Sequence, residues 1–187
     1  MSLLYDEKDE YENMRDIFIN KFSKYLYEER KKYFETVFLC IGTDRVIGDS
    51  LGPLVGTMLQ EKLEKYNFFN ITIYGTLQEN ICYTNIQNTL KIINQKHKNA
   101  CIVVIDAALS HEDNIGKIFI TREKMVLGKG LCKDKVEVGD ISIKAVVGKN
   151  YKLSKYNFSS LQNISLNVVI RLAQLISDGI YETIKYI

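Results

Sequence analysis

The chain alternates between short apolar runs and longer stretches with helical spacing, and this alternation narrows its fold to one class. Thr36-Val-Phe-Leu-Cys-Ile41 carries no charge and ends at Gly42, as a strand buried on both faces would. Leu54, Val55, Met58, Leu59 and Leu63 then recur at helical spacing, opposite Glu61, Lys62 and Lys65. Asn70-Ile-Thr-Ile-Tyr-Gly75 is strand-like, and Ile86, Leu90 and Ile93 mark a helix from about Cys82 to His97. Cys101-Ile-Val-Val-Ile105 is the most strand-like run and ends at Asp106. Gly116–Thr121 and Ile141–Val147 read as two more strands, with Lys124–Asp140 between them as loop. A last helix is expected over about Ser159 to Ile176. Strands alternating with helices predict an α/β domain with a parallel or mixed sheet covered by helices on both faces.

The first 33 residues predict an appended amphipathic helix, with Met14, Ile17, Phe18, Phe22, Tyr25 and Leu26 on one stripe. The division expected is therefore a helical extension over 1–34 and one α/β domain over 35–187. The extension has two uses open to it on this pattern, packing on the domain or forming a homo-oligomer.

Charge and composition exclude several partners. Twenty-five Lys and Arg against twenty-three Asp and Glu leave a net charge of +2, with the cations dispersed, so nucleic acid is not an expected partner. The apolar runs fall well short of the roughly 18 residues of a membrane span. An acidic, polar opening from Met1 to Glu12 does not resemble a signal peptide. Cys40 and Cys101 sit in apolar runs, and no closely spaced cysteine pair occurs, which fits a reducing cytoplasm.

In sheets of this class, ligands bind outside the carboxyl ends of the strands, which selects the loops after Ile41, Gly75 and Ile105. The first, Gly42-Thr-Asp-Arg-Val-Ile-Gly-Asp-Ser-Leu-Gly-Pro53, contains the only proline, set for the first turn of the next helix. It lacks the Gly-Lys-Ser/Thr ending of a P-loop, and Asp44 and Asp49 would repel a phosphate there. Asp49 or Ser50 could cap the helix. Asp106 follows its strand directly, so it is expected at the mouth of the sheet, because an unpaired charge within it would cost several kcal/mol. If the first and third strands are neighbours, Asp49 and Asp106 emerge side by side. Two adjacent carboxyls split their proton affinities, so that one activates water while the other protonates a carbonyl. Capping explains the same spacing, and spacing alone does not choose.

Other groups are weaker candidates. Ser110 and His111 are adjacent, whereas a triad needs convergence in space. His97 lies in a Lys-His-Lys run and reads as solvated. A divalent metal on Asp49, Asp106 and His111 is a minority alternative to the expectation of no cofactor. Cys132 has Lys129, Lys133 and Lys135 close by, but neither it nor Cys82 reads as a nucleophile.

The segment from Cys40 to Gly56 resembles the signature of the YyaC family of sporulation proteins. Ile73-Tyr-Gly-Thr-Leu77, Val104-Ile-Asp-Ala107, Val138-Gly-Asp-Ile-Ser-Ile143 and Leu161-Gln-Asn-Ile-Ser-Leu166 extend the likeness in order over about Val37 to Ile176. That family is similar to the spore germination protease and, more remotely, to hydrogenase maturation proteases. The resemblance implies a phosphorylase/hydrolase-like three-layer α/β/α sandwich. It also implies an aspartic-type peptidase whose two aspartates match Asp49 and Asp106. Gly42, Thr43, Asp44, Arg45, Ser50, Gly75 and Thr76 then belong to the site loops. In the hydrogenase proteases a nickel-binding Glu matches Asp49. The implied partner is a peptide or protein substrate, spore proteins among them, in the cytoplasm of the forespore or mother cell. Cys82 stands where members of the family usually carry His, and Ala108-Leu109-Ser110 where they carry Cys-Leu-Gly. The alternatives implied are therefore an inactive relative that binds a peptide or protein, and a metal-dependent hydrolase or nickel-binding protein.

Overall fold

The computed structural model describes residues 3–65, 68, 70–127, 136–151, 161 and 164–186. Its centre is a five-stranded sheet of β1 (Glu35–Cys40), β2 (Ile71–Tyr74), β3 (Ala100–Ser110), β7 (Ile141–Lys149) and β4 (Ile118–Thr121). The spatial order is β2-β1-β3-β7-β4, with every neighbouring pair parallel except β4 against β7. Among the described residues, the helices that cover it are α1 (Leu3–Arg30), α2 (Leu51–Leu63), α3 (Ile86–Lys96) and α4 (Leu166–Lys185).

The pleat sorts the apolar side chains into two cores. Phe38 and Cys40 of β1 and Cys101, Val103 and Ile105 of β3 face α1, α2 and α4. Val37, Leu39 and Val104 face the other way, onto Ile86 and Ile93 of α3. The uncharged runs Thr36–Cys40 of β1 and Cys101–Ile105 of β3 are thus largely buried on both faces, as expected of parallel strands between helix layers. Among the described residues, no helix is long and apolar enough to cross a membrane.

The first helix packs on the domain. Phe18, Phe22 and Leu26 are fully or almost fully buried in the larger core, each contributing roughly 1.5–3 kcal/mol. Phe18 lies so close to Gly179 of α4 that a side chain there would strike its ring. Tyr11 donates to Asp178 at 2.8 Å, and the buried Glu29 accepts from Lys32 and, through two bonds, from Arg122 beyond β4.

Several expectations are corrected. β3 does not stop at Ile105 but runs on to Ser110, because β7 continues beside it through a register shift at Ala108/Leu109. Asp106 is therefore within a strand. Lys124–Asp140 is not all loop: β5 (Met125–Leu127) and β6 (Val136–Val138) form an antiparallel ribbon, with Met125 and Val138 capping the second core. The last helix spans Leu166–Lys185, ending beyond Ile176 because Ile180 and Ile184 extend its buried face. Of its expected start, Ser159 and Ser160 lie outside the described residues, as does Cys132. His97 is not solvated. Its side chain is 15% exposed, with Nδ1 2.8 Å from Glu35 and Nε2 3.1 Å from the Tyr74 hydroxyl. Those partners come from β1 and β2, so a local Lys-His-Lys run hides them.

Candidate active site

The carboxyl end of β1 opens directly into the glycine-rich loop. Ile41 N–H donates to the Ile105 carbonyl at 2.8 Å and Gly42 N–H to the Ile81 carbonyl at 2.8 Å, so the chain stays tied to the sheet as it leaves β1. The loop then folds on its own backbone. Thr43 N–H donates to the Asp49 carbonyl at 3.0 Å, and Asp49 N–H donates to the Val46 carbonyl at 3.0 Å. A 3-10 turn over Ile47–Ser50 feeds straight into α2, with Pro53 buried in its first turn where no N–H is required.

Capping does not use the Asp49 side chain. Ser50 holds the N-cap position, yet its hydroxyl donates to the Ile47 carbonyl at 2.6 Å and caps no N–H. Among the described residues, the Asp49 carboxyl makes no hydrogen bond or ion pair. It is half-buried, and burial raises its pKa above the usual carboxylate range.

Asp106 is the first residue of β3 beyond the β1 ladder, whose last pair is Cys40 with Ile105. On its other side it is the register partner of Lys144 in β7. Burial is the main cause of a raised pKa for Asp106, and the negative charge of Asp49 adds to it. The Ala107 N–H and the Lys144 charge act in the opposite direction, and the net result is a carboxyl pushed up to about 8. The two carboxyls therefore lie within electrostatic reach of one another.

The third loop closes the side of the site. Gly75 packs against the Cys40 carbonyl and beneath Gly56 of α2. Thr76 forms a turn, its N–H donating to the Glu79 carbonyl at 3.1 Å and its hydroxyl accepting from Glu79 N–H at 3.1 Å. Asn80 Nδ2 donates to Asp44 Oδ1 at 2.6 Å and links this loop to the first. Thr43 Oγ1 accepts from Arg45 N–H at 3.3 Å, and Arg45 is exposed. Cys82 is half-buried, with its sulfur 3.2 Å from Thr84 Oγ1.

His111 stands apart. It follows β3, five residues beyond Asp106 and so about 16 Å along an extended chain. Its side chain is 76% exposed and pairs with Asp113 at 3.0 Å. Among the described residues, no three His, Cys, Asp or Glu side chains come together to hold a metal. Asp49, Asp106 and His111 thus do not fit a protein-held ion. Sequence reasoning does not single out Lys144, although a lysine inside the apolar run Ile141–Val147 is the signal that could have found it.

The DUF1256 family, described as a protein of unknown function, matches residues 2–179. A protein of Bacillus subtilis (strain 168), described as the uncharacterized protein YyaC, is 35% identical over 144 residues, which is 77% of this chain and 67% of that protein. Among solved structures, the NiFe hydrogenase maturation protease HycI of Thermococcus kodakarensis KOD1 matches with a TM-score of 0.57 at 18% identity. That match covers 86% of this chain and 98% of that one. At this identity the likeness shows a shared α/β fold.

Proposed function

The chain belongs to the DUF1256 family, and on that footing we propose that it is a peptide-bond hydrolase in which Asp49 and Asp106 share one proton. The observation that carries this reading is electrostatic: Asp106 holds its proton up to about pH 8, beside an Asp49 whose carboxyl makes no hydrogen bond or ion pair among the described residues. In this reading Asp106 is the protonated partner at neutral pH and Asp49 serves as the carboxylate.

In the proposed reaction the Asp49 carboxylate takes a proton from water as the oxygen attacks the scissile carbonyl carbon. The Asp106 O–H protonates the carbonyl oxygen. The tetrahedral intermediate collapses as the C–N bond breaks, and the amine leaves with the proton held by Asp49 while the hydroxyl proton returns to Asp106. The substrate is a peptide or protein. A sporulation role and a cytoplasmic setting are supported by the motif resemblance.

The test is incubation with small acid-soluble spore proteins and with the chain's own full-length form, read by mass spectrometry. Site-specific cleavage by the wild type, absent from folded Asp49→Asn and Asp106→Asn variants, is expected. Cleavage by both variants at the wild-type rate would sink the dyad. A second reading, an inactive relative that binds a peptide or protein, is favoured by Cys82 at the family's usual His position. It predicts binding without cleavage in the same experiment. The nickel alternative has no support in the side chains, because His111 stays remote and no third ligand joins the two aspartates among the described residues.

A further inference from the structure

β2 is an edge of the sheet: β1 pairs with one side of it, and no described strand pairs with the other. Thr36 N–H donates to the Asn70 carbonyl at 2.9 Å, with Thr36 in register with Ile71. In a parallel ladder alternate residues face alternate neighbours, so residues 70, 72 and 74 turn their backbone groups toward β1. The N–H and C=O of Ile71 and Ile73 therefore point away from the sheet. Natural sheets commonly blunt such an edge with lysine, proline or a bulge. Asn70-Ile-Thr-Ile-Tyr-Gly75 contains no charge and no proline, and its pairing with β1 is regular.

A groove of about 650 Å³ follows this edge, lined by Ile71 and Ile73, by Gln60 and Leu63 from the last turn of α2 and by Glu64 just beyond it. It runs to Gly75, Thr76 and Glu79, in the loop that Asn80 ties to Asp44 of the Asp49-bearing loop. The charged groups lining it among the described residues are Glu64 and Glu79, and no Lys or Arg lines it.

We propose that the β2 edge and its groove bind an extended, cationic segment of the protein substrate as a sixth strand of the sheet. The outward-pointing N–H and C=O groups of Ile71 and Ile73 supply main-chain hydrogen bonds that do not depend on sequence. Leu63 and the two isoleucines take the apolar side chains, while Glu64 and Glu79 favour lysine or arginine over acidic residues. The added strand would run along the groove toward the two aspartates. The identity of the segment as substrate rests on the peptidase reading; the docking mode does not.

The test uses the full chain carrying Asp49→Asn and an acetylated octapeptide of alternating lysine and valine. Amide chemical shifts and hydrogen exchange at Ile71 and Ile73 are followed. Saturable shifts at both amides and at least tenfold slower exchange are expected. A glutamate–valine octapeptide should bind at least tenfold more weakly, and the combined Glu64→Lys and Glu79→Lys change should reverse that preference. Ile73→Pro removes an outward N–H without touching the β1 ladder, and should abolish binding at an unchanged melting temperature. If that variant does not fold, the charge-reversed pair decides. Unmoved Ile71 and Ile73 amides overturn the proposal. So does concentration-dependent protection of the edge without peptide, which would place a second copy of the chain there. Cleavage of a protein by the wild type with a silent edge would remove the docking mode and leave the peptidase reading. Binding at the edge with no cleavage would remove the peptidase reading and leave the docking mode.

Discussion

Asp106 and Lys144 are register partners across the parallel β3–β7 ladder, and the Lys144 ammonium lowers the proton affinity that burial and Asp49 raise. Replacing it with an isosteric neutral side chain should make Asp106 harder to ionise. For Lys144→Met we expect the alkaline limb of the kcat/KM profile to move to higher pH by about half a unit to one unit. The acidic limb, set by Asp49, should move less. An alkaline limb that stays in place would show that Asp106 does not set it.

The same carboxyl links stability to pH with a definite sign. Its folded pKa of about 8 lies above the ordinary carboxylate value, so the folded state holds a proton that the unfolded state has lost between about pH 4 and pH 8. The associated stability is fully present below pH 4 and is lost as pH rises through 8. Asp106→Asn removes this dependence. It should be more stable than the wild type at pH 8 by up to about 5 kcal/mol, with the difference shrinking toward pH 4, as measured by urea unfolding across pH. A difference that grows on acidification would reverse the sign and refute the assignment.

The parts of the candidate site that sequence can bring together are those encoded locally. Gly42 and Asp49 lie in one loop between a strand and a helix, and Pro53 in the first turn of that helix, so their chain order alone fixes that they share a strand end. Asp106 shows where local reading fails. Ala107 to Ser110 carry no strong strand signal, and they extend because Ala145 to Lys149 run beside them. The β5–β6 ribbon is similarly hidden: its strands are three residues long, and they are ordered by pairing across an intervening segment. His97 is the same lesson in a single side chain, since Glu35 and Tyr74 are 62 and 23 residues away. For α1, amphipathicity is legible at Phe18, Phe22 and Leu26, whereas the surface it meets on α4 is decided only by the tertiary fold.

Glu29 supplies a prediction outside the site. It is 4% exposed, and it joins α1 to the end of β4 through Arg122 at 3.1 and 2.5 Å. Burial pulls its pKa up, but the hydrogen bonds from Lys32 and Arg122 outweigh that and hold it below the usual value. Its stabilising contribution is therefore present above the ordinary Glu pKa and is lost as pH falls through the lowered one. Arg122→Ala leaves the buried carboxylate with Lys32 alone and should cost about 2–4 kcal/mol at pH 7. Glu29→Gln in the same background should recover part of that loss. A cost below about 0.5 kcal/mol would mean that the pair behaves as an exposed one.

The last prediction separates two reasons for a glycine. Gly42 has φ +146°, and a Cβ there would run into the Asp49 carbonyl and meet the Pro53 ring. Gly116 has φ +87°, but a Cβ there would have nothing within 4 Å. Gly116→Ala should therefore cost only the left-handed backbone penalty, about 1–2 kcal/mol. Gly42→Ala carries a backbone penalty as well and must also displace the turn whose Thr43 N–H donates to Asp49, so a loss of about 3 kcal/mol or more is expected. Because that displacement moves Asp49 relative to Asp106, any cleavage activity should fall with it, while Gly116→Ala should keep wild-type turnover. Urea unfolding of both variants, with turnover measured at a temperature where each is folded, checks the pair. Equal losses of stability would show that backbone angle alone, and not the close approach of the loop, requires glycine at position 42.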